Sequence, residues 1–385
     1  MSQPAEQLDT RPDPVRGTLS SVAVVGRGTP LVEWFVAGVS ARLEERGYPV
    51  MRLGERDATE LPAEARVVLN AVPAEAPQSF RRRSKDIFVV GVAELLGRPD
   101  DLLQAGYSLL VRSLSNVFIP IVRDGEHPDA RFITMEQGFH AFDHTGDDDA
   151  FFEQVVERLV PLAESRLVIE NEFVPDLPEG LWQGDEHTAS IYRAGVRMGE
   201  LNLLPAPWPI DELLSPEDLR HVKRLFGLGG LSYGNASSRH DGDTFWMSAS
   251  GVDKSHLHDI GTEILLVTGY DPARGVIKLS VPPNVRPRRV SVDAIEHLTI
   301  YREHPEVGGI LHVHGWMGGV PSTETVYPCG TEELALEVAA LLRDVPDPGR
   351  AVIGMKNHGV TITGPSLDEI LERVGPHLVN RVPMS

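Results

Sequence analysis

Residues 308–315 read GGILHVHG, an apolar run that begins with paired glycines and ends with two histidines. The run is typical of a strand inside a sheet. Because side chains alternate faces along a strand, His312 and His314 point the same way and Val313 points into the opposite layer. The pair is either a two-point clamp for one metal ion or two polar residues at the rim of a sheet. The metal-binding interpretation would be favoured if the rest of the chain supplied a third ligand, an acid/base group and a substrate pocket.

A third ligand candidate lies in AVIGMKNHGVTITG, residues 351–364. There His358 occupies an expected turn that joins two strand-like runs. Three histidines leave an open coordination position for a substrate, as catalytic zinc sites require. The competing His-x-His, formed by His256 and His258, begins a predicted loop or helical turn, where residues i and i+2 do not share a face. We interpret this second pair as surface residues.

The composition is that of an ordinary globular protein with an acidic excess. The chain has 385 residues, is 41% hydrophobic and 24% charged, and carries a formal charge of −20. This charge argues against nucleic acid or an anionic membrane as the partner. A small anionic substrate remains possible, because local backbone N–H groups can hold it. No apolar run approaches the ~18–20 residues that span a bilayer. The single cysteine, Cys329, fits a reducing compartment, so we expect a cytoplasmic protein.

The chain divides into two α/β units. Alternating strand-like and helix-like runs over 20–165 predict a Rossmann-like domain with a largely parallel sheet. The polar, proline-rich residues 1–19 are expected to form a disordered leader. Residues 166–214 are rich in Pro and Trp around one expected helix, and we interpret them as a connector between the domains. A second α/β unit, opened by an expected helix, occupies 215–385.

Two stretches of the first unit raise the question of ligand binding there. In VVGRGTP, Gly26 and Gly28 follow a strand and precede a helix, but the third glycine of a dinucleotide turn is missing. We therefore predict a structural or oligomerising domain without cofactor-binding residues, with nucleotide binding as the alternative. The basic run FRRRSKD, residues 80–86, is expected to be a solvated loop, with an anion or partner contact as the alternative.

Two glycine- and hydroxyl-rich stretches, LSYGNASSR and WMSASGVDKS, precede the histidines. The N–H groups of Gly234, Asn235 and Gly251, with the hydroxyl of Ser250, can form a nest for an anion. The dipeptides GN and SG are also common in ordinary turns, so a structural reading of both stretches stays open.

In motif order and spacing, residues 215–375 resemble the class II aldolase/adducin family. The resemblance rests on five segments in sequence: GLGGLSYGNASSR, FWMSASGVDKSHL, VDAIEHLTIYREHPEVGGILHVHG, GTEELALEVAALL and AVIGMKNHGVTITG. It implies an α/β/α fold around a mostly antiparallel sheet, and a divalent metal, usually zinc, held by three histidines. By position these ligands are His312, His314 and His358. The positions that hold a substrate phosphate in the sugar-phosphate enzymes of the family are Gly234, Asn235, Ser250, Gly251 and Ser291.

The chain departs from the family pattern in three ways. The position of the family's catalytic glutamate is taken by Asp293, which is one methylene shorter, and general-base catalysis depends on reach. Glu296 ranks second as the base, because helical phase is expected to turn it elsewhere. Val292 replaces a serine that is common after Ser291 in the aldolases. His358 follows His314 by only 44 positions, a shorter interval than in the sugar-phosphate enzymes.

The resemblance implies a metal-dependent lyase that acts on a small hydroxy-carbonyl compound through a metal-stabilised enediolate. Aldol cleavage or condensation, epimerisation and dehydration share this intermediate. One alternative is a non-haem iron oxygenase on the same fold, since three histidines accept Fe²⁺ as well as Zn²⁺. Another is a non-catalytic scaffold like adducin, whose head domain lacks the metal histidines. The family also implies a homo-oligomer, a tetramer or a dimer.

Overall fold

The computed structural model describes residues 20–54, 58–123, 125–136, 138–142, 144–204, 213–220, 234–380 and 382. The leader expected at 1–19 lies outside these ranges, as does most of the helix expected to begin at 215. Among the described residues, no helix is long and apolar enough to cross a membrane.

The first unit contains seven strands and three helices within its described residues. They are β1 Ser21–Gly26, α1 Pro30–Glu45, β2 Val50–Arg52, β3 Ala65–Ala71, β4 Phe88–Leu95, α2 Leu102–Arg112, β5 Val117–Arg123, β6 Pro128–Thr134, β7 Phe139–Phe142 and α3 Asp148–Glu164. The sheet order is β2-β1-β3-β4-β5-β6-β7. The first five strands of that order pair in parallel, and β6 and β7 continue the sheet antiparallel.

Helices cover both faces of this sheet, which explains why its central strands are apolar on both sides. Helices α1 and α3 pack together on one face, and α2 packs on β5 and β6. Gly38 of α1 permits the close packing of α1 against α3, because a Cβ there would lie 2.1 Å from the ring of Phe152 in α3. The predicted parallel-sheet domain is confirmed, with two antiparallel strands added at one edge.

The second unit is a layer of helices on each side of a mostly antiparallel sheet. Its elements are β8 Glu170–Val174, α4 Glu186–Glu200, β9 Asn235–Asp241, β10 Thr244–Ser248, β11 Ile264–Asp271, β12 Val276–Ser280, α5 Ala294–Glu303, β13 Gly309–Val313, α6 Glu332–Asp344, β14 Val352–Met355, β15 Gly359–Gly364 and α7 Leu367–Val374. The sheet order is β14-β15-β13-β9-β10-β11-β12-β8. Helices α5 and α6 pack together, as do α4 and α7. The predicted mixed fold of this unit is confirmed.

The interpretation of 166–214 as a connector needs correction. Strand β8 pairs in parallel with β12 at the edge of the second sheet, and α4 packs on β9 and β10. The described part of this segment therefore belongs largely to the second unit. The strand was missed because ENEFV, on a sheet edge, is half-buried throughout and shows little apolar alternation.

The two units meet where the turn between β6 and β7 lies against the turn between β14 and β15. The Thr134 hydroxyl accepts a hydrogen bond from Gly138 N–H (3.0 Å) and donates one to the Asn357 carbonyl (3.2 Å). A Cβ on Gly138 would lie 2.0 Å from that carbonyl oxygen. The docking therefore requires a residue without a side chain at position 138.

We expect Gly138→Ala to lower the free energy of unfolding by about 1–3 kcal/mol, because the new methyl group forces the two turns apart. Urea unfolding followed by circular dichroism measures the change. The matched control is Gly54→Ala, where a Cβ would meet no described atom within 4 Å. Equal unfolding midpoints for the two variants would contradict the proposed contact.

Candidate metal centre and active site

Three histidines converge at one end of the second sheet. In β13, His312 is paired with Thr361 of β15 on one side and with Asn235 of β9 on the other. The ring of His312 lies 5.0 Å from that of His314 and 4.8 Å from that of His358, and the remaining pair is 5.1 Å apart. Their candidate ligand nitrogens all lie within 4.8 Å of one another, and all three side chains are buried. The structure thus brings together the three residues that the sequence singled out.

The turn that presents His358 depends on its two neighbours. Asn357 adopts φ 58°, a left-handed conformation that asparagine tolerates better than most residues. A Cβ on Gly359 would lie 2.2 Å from the Val313 carbonyl oxygen, so only glycine lets β15 pass this close to the end of β13. The Asn-His-Gly sequence is therefore a geometric requirement for placing an imidazole opposite His312 and His314.

The donor set fits a divalent metal ion. His312 Nδ1 lies 3.2 Å from the Val360 carbonyl oxygen, which favours the tautomer with the proton on Nδ1. Its Nε2 is buried and has no hydrogen-bond partner among the described residues, so the Nε2 lone pair is available to bind a metal ion. Burial lowers the pKa of His312, lowers that of His314 well below its usual value and lowers that of His358 to about 3. Neutral imidazoles are the form that binds zinc and similar ions.

Asp293 lies directly before α5 and is 5% exposed. Its side chain does not cap the helix but accepts a hydrogen bond from the Asn235 amide at 2.7 Å. Its negative charge raises the pKa values of His312 and His358 against the effect of burial, as expected for a carboxylate near both rings. The sequence-predicted acid/base residue thus lies close to two of the three histidines.

The expectation that Glu296 faces away from the site is wrong. Its side chain is 2% exposed and accepts a hydrogen bond from the Thr361 hydroxyl at 2.5 Å. Burial, with the nearby charge of Asp293, raises the pKa of Glu296 to about 8. Residues three apart share one face of a helix, so Asp293 at the start of α5 and Glu296 point toward the same region. Two carboxyl groups, one of them favoured in the protonated state, therefore lie beside the histidines.

The residues predicted to hold an anion have more varied roles. Gly234 has φ 74°, and a Cβ there would lie 2.6 Å from the His312 carbonyl oxygen, so it serves close strand packing. Asn235 positions Asp293. The N–H groups of Ser250 and Ser291 are engaged by the carbonyls of Arg289 and Ser248. The Ser250 side chain lines a cavity that also reaches His358, whereas Gly251 forms a turn with φ 69°.

Three residues of the site were not found from the sequence. Glu136, from the turn after β6, has its carboxylate within 4.8 Å of candidate ligand atoms of Cys329 and His358. Burial raises the pKa values of Glu136 and of Cys329. Lys254 is 3% exposed, and burial lowers its pKa to about 8, partly opposed by the charge of Asp293. Of the three, only Lys254 was recognisable in the sequence, as a cation within the stretch WMSASGVDKS. Glu136 and Cys329 come close to the site only through the tertiary fold.

The competing sequence motifs lie outside this centre. The side chain of His256 is 75% exposed and pairs with Asp253. In the first unit, the N–H of Gly28 donates to Glu33 at 3.0 Å, and the Thr29 hydroxyl bonds Glu94. Carboxylates thus occupy the position at the start of α1 where a dinucleotide would place its phosphates.

Comparison with known proteins agrees with the geometry of the second unit. Residues 219–323 match the model of the class II aldolase and adducin N-terminal domain. The chain carries a class II aldolase-like domain. A curated methylthioribulose-1-phosphate dehydratase from Xanthomonas campestris pv. campestris is 32% identical over 97 residues, which cover 24% of this chain and 44% of the relative. The enzymes of the same name from two further strains of that organism match to the same extent. The chain thus spans less than half the length of the curated relatives that it matches.

Solved structures of YgbL from two bacteria are also similar. The structure from Klebsiella pneumoniae is 14% identical with a TM-score of 0.33, and the match covers 50% of this chain and 86% of that one. The structure from Escherichia coli is 15% identical with a TM-score of 0.33, covering 49% and 84%. The matched range of the aldolase-like domain contains His312 and His314.

The raised pKa of Glu296 predicts a pH-dependent effect of Glu296→Gln in metal-free protein. A group whose pKa is higher in the folded state stabilises the fold at low pH, and this contribution is lost as pH rises toward about 8. The variant should therefore gain stability relative to the wild type between pH 5 and pH 8, by roughly 1 kcal/mol per pH unit. Urea unfolding of both proteins at several pH values tests this. A difference that is constant with pH would show that Glu296 ionises normally.

Proposed function

We propose that the protein is a metal-dependent lyase that acts on a small hydroxy-carbonyl compound through an enediolate. The observation that carries the proposal is the convergence of three buried, neutral histidines beside the Asp293 carboxylate. The aldolase-like domain supports the same reaction class. Aldol cleavage or condensation, epimerisation and dehydration all pass through this intermediate, and the dehydratase name of the Xanthomonas relatives favours including dehydration.

His312, His314 and His358 would hold the metal. When bound, a divalent ion, zinc by expectation and iron as the alternative, supplies a Lewis acid that stabilises negative charge on the substrate oxygens. The chain itself prepares the ligands in two ways. The Val360 carbonyl orients the His312 ring, and burial keeps all three imidazoles unprotonated.

Asp293 is proposed to move the proton. The Asn235 amide holds its Oδ2 and thereby limits rotation of a side chain that is shorter than the glutamate it replaces. A carboxylate at this position can take a proton from the substrate carbon or hydroxyl and return it in a later step. Glu296, whose pKa is about 8, is suited to donate a hydrogen bond or a proton near neutral pH.

A scaffold role is less well supported, because it gives no reason for three histidines to converge in a buried site.

We also propose that the protein is a dimer or tetramer, as the family resemblance implies. Sedimentation of the purified protein tests the oligomeric state separately from the activity.

Metal content tests the ligand assignment. We expect about one divalent ion per chain in the wild type and a loss of at least tenfold in metal affinity for His314→Ala, since two histidines bind far more weakly than three. Elemental analysis of protein purified without chelator or added metal gives the number and the element. The matched control is His256→Ala, which removes a histidine of the competing His-x-His pair. Unchanged metal content in His314→Ala would refute the assignment.

Turnover tests the role of Asp293. In Asp293→Asn we expect kcat to fall about 10²–10⁴-fold, because the amide cannot accept a proton, while the metal content stays the same. A screen of aldehydes with ketone donors, and of hydroxy-ketones for water loss, provides the assay. Asp253→Asn, on the exposed turn before Lys254, is the control. A normal rate in Asp293→Asn would transfer the role of base to another residue.

A further inference from the structure

A cavity of about 170 Å³ separates the two units and ends at the candidate metal centre. On the side of the first unit it is bounded by the amino ends of β4 and β5, at Phe88 and Val117, and by Thr134 at the end of β6. On the side of the second unit it reaches His358 and Ser250. A ligand in the cavity would therefore contact both units and one of the proposed metal ligands.

Most of the cavity wall is apolar. The apolar and aromatic lining residues come from both units: Phe88, Val117, Phe132, Met135, Leu162, Leu167, Ile169, Val290, Val292, Val326, Tyr327 and Pro328. Apolar cavities of roughly 150 Å³ bind molecules of the size of benzene. The wall and the volume thus suit a compact apolar body of about one ring.

Three cations, Arg82, Lys85 and Arg289, interrupt this wall, and the Glu136 carboxyl group lies at its His358 end. Arg82 is 5% exposed, and its guanidinium donates to two neutral acceptors, the Ile87 carbonyl at 2.7 Å and the Asn116 side chain. Its position in the wall places a cationic side chain where a ligand in the cavity can meet it. Arg82 and Lys85 belong to the basic run that the sequence predicted to be a solvated loop.

Lys85 and Arg289 share one acidic partner. Lys85 Nζ lies 3.9 Å from one oxygen of Glu170, and an Arg289 nitrogen lies 3.6 Å from the other. Both distances exceed that of a good charge-assisted hydrogen bond, which is about 2.7–2.9 Å. The Lys85 side chain is 12% exposed and that of Arg289 28%. Two cations of different units thus flank a single carboxylate, in a chain whose net charge is −20.

We propose that Arg82, Lys85 and Arg289 bind the anionic group of the substrate, and that the substrate is a small organic anion with a compact apolar body. This proposal rests on the proposed function only in that the opposite end of the molecule reaches the site of His358. It gives the first unit a role in substrate recognition, since Arg82 and Lys85 lie in that unit. Carboxylate and phosphate share the required chemistry, and the choice between them is left to the test.

Calorimetric titration with three probes tests the cavity directly. Benzoate and phenyl phosphate carry the two kinds of anion on one ring, and benzamide is the neutral analogue of benzoate. We expect at least one anion to bind, about tenfold or more tighter than benzamide, which is the size of one charge-assisted hydrogen bond. The anion that binds more tightly identifies the kind of charged group on the substrate. Equal binding of all three probes, or binding of none, would overturn the proposal.

Charge variants assign the binding to the named residues. Lys85→Met and Arg289→Met should each lower the affinity for the preferred anion about tenfold. Arg83→Met removes the same charge from an exposed residue of the same basic run and should leave affinity unchanged. Glu170→Gln should strengthen binding, because it removes the carboxylate that competes with the ligand for Lys85 and Arg289. A merely structural role for this cluster predicts weaker binding in Glu170→Gln, and that result would contradict the proposal.

The same titration in His314→Ala separates this proposal from the proposed function. His314 does not line the cavity, so anion binding should persist in this variant even though metal and turnover are lost. Anion binding without any metal in the wild type would uphold the cavity assignment and refute the lyase. Metal binding and turnover with no preference for an anion would uphold the lyase and refute the cavity assignment.

Discussion

The site depends on a five-residue buried strand, β13, held between β9 and β15. Both neighbours approach it more closely than a side chain allows, through Gly234 beside the His312 carbonyl and Gly359 beside the Val313 carbonyl. These approaches set the separation between the strand that carries His312 and the turn that carries His358. A shift of one residue in the pairing would turn His312 to the opposite face of the sheet. The register of this strand therefore determines whether a metal can bind.

Around this backbone, the Asp293 carboxylate is the electrostatic centre of the site. Its charge affects the pKa values of groups from both units: Glu136, Lys254, Glu296, His312, Cys329 and His358. Burial opposes ionisation of every one of these groups, whereas the charge of Asp293 raises the pKa of each and so favours its protonated form. The raised pKa of Glu296 beside Asp293 is the arrangement expected where one carboxyl group accepts a proton and its neighbour retains one.

The sequence was informative where the site is local and uninformative where it depends on docking. The alternation of GGILHVHG predicted that His312 and His314 point the same way, and the Asn-His-Gly turn indicated His358 as a third ligand. Helical phase alone misplaced Glu296, whose position depends on the packing of its helix against β15, where its carboxylate meets the Thr361 hydroxyl. Strand β8 was missed because a half-buried edge strand carries little apolar pattern. Glu136, Arg82 and Lys85 were not predictable as site residues, because they belong to the first unit, which meets the aldolase-like domain only in the tertiary fold, at contacts such as that between Gly138 and Asn357.

X-ray absorption spectroscopy at the edge of the bound metal, on protein purified without chelator, tests the central claim most directly. The account predicts a coordination shell with about three imidazole nitrogens, near 2.0–2.1 Å for zinc, completed by oxygen. A sulfur scatterer near 2.3 Å would instead indicate a centre built on Cys329 with Glu136 and His358. That result, or protein that binds no metal even after reconstitution, would contradict the account.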